Sequence, residues 1–438
     1  MYDQSHICRA DHMAVSKASR TLRRRKRKGK TSQIPYLERE YIALSQWMKR
    51  NKFVQKRPYL SAAIFNSTGR GLMTRHSISA GSTLVSIPHH LLITPHTVLT
   101  SVGQHFTKWD KQLSSQQAMS IFLLAERQKQ ESSFWFPYIN VLPKKYTTPA
   151  FFSETELNLL PQTVLSKALT EISKVHTAFK LATDFITCCW PELAPVLTYS
   201  DFIWSWYSVN TRSVYYKHDL CDQFLADHNY IALAPFLDLL NHSYDANITA
   251  SFNVKSNCYE IQTEDTYRKY DEVFISYGNH DNTHLLVEYG FVLPNNPNDV
   301  VEFSFDSLLD IALRMKLKHL KEKRSVLLTG QFDRKLCCCS DGLSWNLQVV
   351  LRVLCMDWTE LKNWKLVMQG GIISDQNELL TRTMASTLIK TSLGMCKENL
   401  TKFQGLHCDT MTEHERLAYD FICIERTTLQ SALISVQS

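Results

Sequence analysis

The hydrophobic period of this sequence changes four times, and that alternation narrows the available folds more than any single motif does. From Pro58 to Thr94 apolar residues alternate (Leu60, Ala62, Ile64), punctuated by Gly69-Arg-Gly71 and by Ala80-Gly81. A spacing of two sets one face of an extended chain against a core, so short strands with tight turns are expected, with Leu72–Ile78 and Ser82–Ile87 among them. From about Val98 to Val209 the spacing lengthens to three and four (Met119, Phe122, Leu123, then Leu165, Leu169, Ile172, Phe179), which predicts helices. Strand character returns at Tyr230–Phe236, Ile248–Phe252, Tyr259–Thr263 and Glu272–Tyr277. A helical block thus interrupts a β unit. Tyr36–Phe53 predicts one amphipathic helix through Leu37, Tyr41, Leu44, Trp47 and Met48. After Val300 the chain turns helical again, with Leu343, Leu347, Val350, Leu351 and Leu354 on one face and Asp375 with Glu378 as an N-cap pair. The class is α+β.

Several chemistries are disfavoured at once. Glycine is 13 of 438 residues, about 3% against a usual 7%, and neither GxGxxG nor GxxxxGK[ST] occurs, so phosphate and dinucleotide cradles lack their backbone. There is no GxSxG elbow. Residues 1–35 carry a net charge of +8, leaving −1 for residues 36–438. An enzyme acting on nucleic acid is expected to be basic over its folded surface, because phosphate neutralisation supplies most of the affinity. Here the net positive charge is confined to a tail whose run Arg23–Lys28 should stay extended and is a nuclear-localisation candidate. No apolar run approaches the roughly 18 residues of a membrane span, so a soluble protein of the nucleus and cytoplasm with no membrane partner is expected.

The 12 cysteines include no CxxC pair, which predicts reduced thiols and no structural zinc. His280 and His284 have the i, i+4 spacing of a helical metal pair, but no HExxH pattern or third ligand accompanies them. No metal is expected there or at His89 and His90.

Three segments remain. Ser67-Thr-Gly-Arg-Gly-Leu72 is a turn whose glycines expose backbone groups. In Pro235-Phe-Leu-Asp-Leu-Leu-Asn-His-Ser243, Asp238, Asn241 and His242 interrupt an apolar run. Burying such groups costs about 1–3 kcal/mol for each one left unsatisfied, so structure or a ligand must partner them. Asp271-Glu-Val-Phe-Ile-Ser-Tyr-Gly278 is a strand ending in Tyr-Gly, followed by Glu288-Tyr-Gly-Phe291.

In this order the segments resemble the SET domain, and the long helical insertion and helical C-terminal region resemble the class of the plant RuBisCO large-subunit lysine methyltransferase and its animal relatives. The resemblance implies a basic tail at 1–35, a β-rich SET domain at 36–298 with a helical insertion at about 98–225, and a helical C-terminal substrate-binding domain at 299–438. It implies S-adenosylmethionine as cofactor, a lysine-bearing protein (histone or non-histone) as partner, and a monomer. Carried over by motif, Thr68, Gly69 and Arg70 hold the methionine end of the cofactor, Arg212 lies near cofactor and substrate, and Asn241 and His242 contact the cofactor. Asp238 is implied on the substrate side, Tyr277 as the catalytic tyrosine touching cofactor and substrate, and Tyr289 as a channel tyrosine. A branch of the family methylates histidine in actin and has asparagine two residues beyond the arginine; this chain has Val214 there. The alternatives to lysine methylation are therefore histidine methylation, a silent SET fold that holds lysine peptides, and an adaptor acting through the basic tail.

Overall fold

The computed structural model describes residues 39–55, 59–217, 225–227, 229–406 and 410–437. Leu37 and the basic run Arg23–Lys28 lie outside them. In chain order the strands are β1 Leu60–Phe65, β2 Gly69–Thr74, β3 Ser82–Pro88, β4 Ser213–Tyr215, β5 Ile231–Leu233, β6 Asn241–His242, β7 Ile248–Asn253, β8 Cys258–Thr263, β9 Glu272–Ile275, β10 Val301–Glu302, β11 Cys337–Cys339 and β12 Gly342–Leu343. The described residues form two compact units, one drawn from 39–88, 239–241 and 246–275, the other from 89–238, 242–245 and 276–437.

The first unit holds helix α1, Arg39–Arg50, which buries Tyr41, Leu44, Trp47 and Met48 on one stripe. Its strands follow the alternation read from the sequence. β1 and β2 form an antiparallel hairpin with Phe65 opposite Gly69, and β2 pairs antiparallel with β9, Leu72 opposite Val273 and Met73 opposite Glu272. The sheet order is β1-β2-β9-β6, and a second sheet runs β3-β8-β7. Several boundaries differ from expectation. The turn is Asn66–Thr68, with Gly69 already the first residue of β2, and β2 ends at Thr74 rather than Ile78. β9 stops at Ile275, leaving Ser276 and Tyr277 beyond the sheet. The expected strand Tyr230–Phe236 shrinks to β5, because Pro235 cannot donate to a ladder and Phe236 takes a left-handed φ of 73°.

In the second unit the helical block contains α2 Pro95–Phe106, α3 Ser115–Gln128, α4 Gln162–Cys189 and α5 Tyr199–Arg212. Ser114 and Gln117 close a reciprocal capping box on α3, and Thr198 caps α5 by accepting from the Asp201 N–H. The C-terminal helices are α6 Phe305–Arg314, α7 Leu320–Thr329, α8 Trp345–Cys355, α9 Asp375–Thr401 and α10 Glu413–Gln437. Leu347, Val350, Leu351 and Leu354 of α8 are fully buried, in one core with Met384 and Leu388 of α9, Ile422 and Leu429 of α10, Val164 and Ala168 of α4, and Leu286 and Val287. The α9 cap is Ser374, whose hydroxyl accepts from the Asn377 N–H, and Asp375 is the first helical residue. An acid there still meets the positive end of the helix dipole, which is why the sequence pattern pointed one residue late. The region is also not wholly helical, since β10-β11-β12 make a small sheet.

Candidate active site

In the first unit the hairpin turn is fastened by one buried acid. Glu272, 8% exposed, would be costly alone in a strand. Both its carboxylate oxygens accept from the Thr68 hydroxyl, at 2.7 and 2.8 Å, and Oε1 also accepts from Asn241 Nδ2 at 2.8 Å. The same Nδ2 donates to the Arg70 carbonyl at 2.9 Å. Asn241 therefore ties β2 to β9 with its side chain. Gly71 is required by this clamp: a Cβ there would stand 2.7 Å from both Asn241 Nδ2 and Glu272 Oε1. The Arg70 guanidinium turns to the Tyr41 hydroxyl at 2.9 Å, so the Thr68–Arg70 turn presents backbone.

In the second unit aromatic rings gather around Tyr277. Its backbone N–H donates to His242 Nδ1 at 3.1 Å, so that nitrogen is unprotonated, and the two rings stack at 5.1 Å between centroids and 25° between planes. Tyr289 lies 5.2 Å and Phe291 6.4 Å from the Tyr277 ring. His280 Nε2 is 3.0 Å from the Tyr277 carbonyl oxygen, and the His280 ring stacks on His284 at 4.1 Å and 15°. Faces rather than nitrogens meet in that pair, and among the described residues no group of three or more His, Cys, Asp or Glu could hold a metal. Tyr289 is positioned by its neighbour. Gly290 has φ 80° and lies so close to residue 147 that an added Cβ would be 2.6 Å from Thr147 Oγ1. Thr147 Oγ1 also donates to the Gly290 carbonyl at 2.6 Å, and Asn210 Nδ2 donates to the Glu288 carbonyl and carboxylate at 3.0 and 2.9 Å. Burial, then the neighbouring Glu288, raises the Tyr289 phenol above its usual range.

Arg212 ends α5 in the same unit. Its Nη1 donates to the Asp238 carbonyl at 2.9 Å and lies 3.4 Å from Asp238 Oδ2. Burial works against the guanidinium charge, but Asp238, followed by Tyr146, Tyr138 and Tyr277, outweighs it and holds the group ionised. The Asp238 side chain is only 2% exposed. Tyr138, fully buried, donates to its Oδ2 at 2.9 Å, and the Tyr146 hydroxyl donates to Ser208 Oγ at 2.8 Å.

Residues 69–278 match the SET-domain family model, and residues 310–429 match that of the Rubisco LSMT substrate-binding domain. SET domain-containing protein 4 of Mus musculus is 38% identical over 381 residues, covering 86% of this chain and 84% of that protein. The chain belongs to the SET-domain protein methyltransferase family. The Homo sapiens form of SET domain-containing protein 4 is 37% identical, covering 80% of each chain. The actin-histidine N-methyltransferase of Danio rerio is 25% identical, covering 84% of this chain and 64% of that protein. Among solved structures, the SET domain of LSMT bound to lysine and AdoHcy superposes with a TM-score of 0.61 at 19% identity, covering 92% of both chains. LSMT bound to AdoMet gives 0.58 at 20% identity, covering 91% of both. That likeness is one of fold.

The SET motifs thus divide into a group around Glu272 in the first unit (Thr68, Gly69, Arg70, Asn241) and one in the second (His242, Tyr277, Tyr289, with Arg212 and Asp238). Glu272, Tyr138 and Tyr146 were missed from sequence. Glu272 carried a signal, an acid directly at the head of the apolar run Val273-Phe-Ile275.

Proposed function

We propose that this SET-family chain is an S-adenosylmethionine-dependent protein-lysine N-methyltransferase acting on histone or non-histone proteins. The observation that carries the reading is the ring of His242, Tyr289 and Phe291 around Tyr277. When bound, S-adenosylmethionine supplies a methyl group already activated by its sulfonium. What the chain must add is a neutral amine held in line. Free lysine has a pKa near 10.4, and aromatic walls that exclude water favour its uncharged form. Tyr289 and Phe291 provide such walls, and the Tyr277 hydroxyl orients the amine. Alignment of this kind is worth on the order of 7–11 kcal/mol of barrier.

The residues present suit the donor. The Thr68–Arg70 turn offers main-chain groups fixed by Asn241 and Glu272. Arg212 Nε is a buried donor with no hydrogen-bond partner in the structure. Lysine is favoured over histidine as acceptor because Val214 brings no hydrogen-bonding side chain to the position where the histidine branch has asparagine. Incubating the protein with tritiated S-adenosylmethionine and nuclear or cytosolic extract, then locating the label by mass spectrometry, tests this. Label on lysine is expected. Label on histidine would overturn the acceptor, and no labelled protein in either extract would overturn the reading as a whole.

A further inference from the structure

The helical block does more than separate two β segments, because it delivers a phenol to the acid that holds Arg212. Asp238 Oδ2 accepts from Tyr138 at 2.9 Å and sits 3.4 Å from Arg212 Nη1, whose shorter bond, 2.9 Å, goes to the Asp238 main-chain carbonyl. Both contacts fall on one guanidinium nitrogen. A single nitrogen held by two oxygens of one residue leaves the guanidinium plane free to tilt unless the carboxylate itself is immobile. The Tyr138 hydroxyl supplies that immobility, from a side chain with no exposed surface.

We propose that Tyr138 is a positioning residue which, through Asp238, fixes the Arg212 guanidinium so that its Nε–H serves an acceptor on S-adenosylmethionine, whose one anionic group is its carboxylate. This rests on the cofactor proposed above. Three observations support it. Arg212 Nε is buried and has no hydrogen-bond partner. Asp238, its side chain 2% exposed, meets both the Tyr138 hydroxyl and Arg212 Nη1 through the one oxygen Oδ2, which links the phenol to the arginine. Burial, then Asp238, raises the Tyr138 phenol well above its usual range, so it remains a donor at every working pH. Tyr146 donates to Ser208, so of these two buried phenols Tyr138 is the one bonded to the Asp238 carboxylate.

The test is a double-mutant cycle read by calorimetric S-adenosylmethionine affinity on the full chain, with Tyr138→Phe, Arg212→Lys and the pair. Phenylalanine keeps the buried ring and removes only the donor. Tyr138→Phe should weaken binding about tenfold, as expected for one lost hydrogen bond to a charged pair. In the Arg212→Lys background the same change should cost less than about threefold, because the group it positions is gone. An equal loss in both backgrounds would show a purely structural role and overturn the proposal, as would unchanged affinity in Tyr138→Phe. If Tyr138→Phe shows no melting transition, Asp238→Asn carries the same cycle with the same expected coupling. Failure of the unmutated protein to bind S-adenosylmethionine would instead overturn the cofactor reading on which the proposal stands.

Discussion

Replacing Tyr277 with phenylalanine removes one oxygen and leaves its backbone bond to His242 and its ring contacts in place. The bond to His242 comes from the Tyr277 backbone N–H, and the contacts with His242, Tyr289 and Phe291 are ring contacts. Stability and cofactor affinity should therefore change little. If the hydroxyl orients the amine in the transition state, its loss should cost roughly 2–4 kcal/mol, about 30- to 1,000-fold in rate, the range for one preorganised polar group. The assay is single-turnover methyl transfer to the acceptor identified by labelling, with melting temperature and S-adenosylmethionine affinity measured on the same preparation. A fall in rate at constant affinity and melting temperature is expected. Full single-turnover activity in the variant would refute the mechanism. Retained turnover per folded molecule with a lowered melting temperature would make the tyrosine structural.

Three other perturbations read different parts of the molecule. Asn241→Ala removes the donor to both Arg70 and Glu272, and S-adenosylmethionine affinity measured by calorimetry should weaken at least about tenfold; unchanged affinity in a folded variant would detach the hairpin clamp from cofactor binding. Glu425 of α10 is raised by burial from 4.5 to about 7, with Asp299 adding to the rise and the Cys396 contact opposing it. A folded pKa above the unfolded one means that its stabilising contribution is full below about 4.5 and is lost as pH climbs through about 7. Melting temperature should fall across that window, and Glu425→Gln should flatten the fall; a parallel curve for the variant would assign the pH dependence elsewhere. Replacing Arg23–Lys28 with alanine should shift the protein from nucleus to cytoplasm without lowering methyl transfer, and undiminished nuclear retention would remove that run as a localisation signal.

The sequence made some of these groups visible because they break a pattern. Asn241 and His242 stand in an apolar run, and a buried polar pair must find partners; the structure shows the partners to be the Arg70 carbonyl and Glu272 for one, the Tyr277 N–H for the other. Glu272 gave a weaker sign, an acid opening an otherwise apolar strand. Tyr138 and Tyr146 broke none, since aromatic residues among helices are ordinary core, and only coordinates reveal that their hydroxyls lie beside Asp238 and Ser208. Strands were legible as alternation, whereas their ends were not. β2 could begin at Gly69 and β9 stop before Ser276 because neighbouring strands, rather than local spacing, decide where a ladder closes.

Leu286 and Val287, three and two residues before Tyr289, are 0% and 5% exposed and share a core with α8, α9 and α10. The wall of the tyrosine cluster is therefore floored by the C-terminal helices. A fragment cut after Phe291 would bare that floor to water, and it should aggregate rather than survive as a minimal catalyst. For the same reason, substitutions in the buried faces of the C-terminal helices should be felt at Tyr289, so the two regions are free to vary only together.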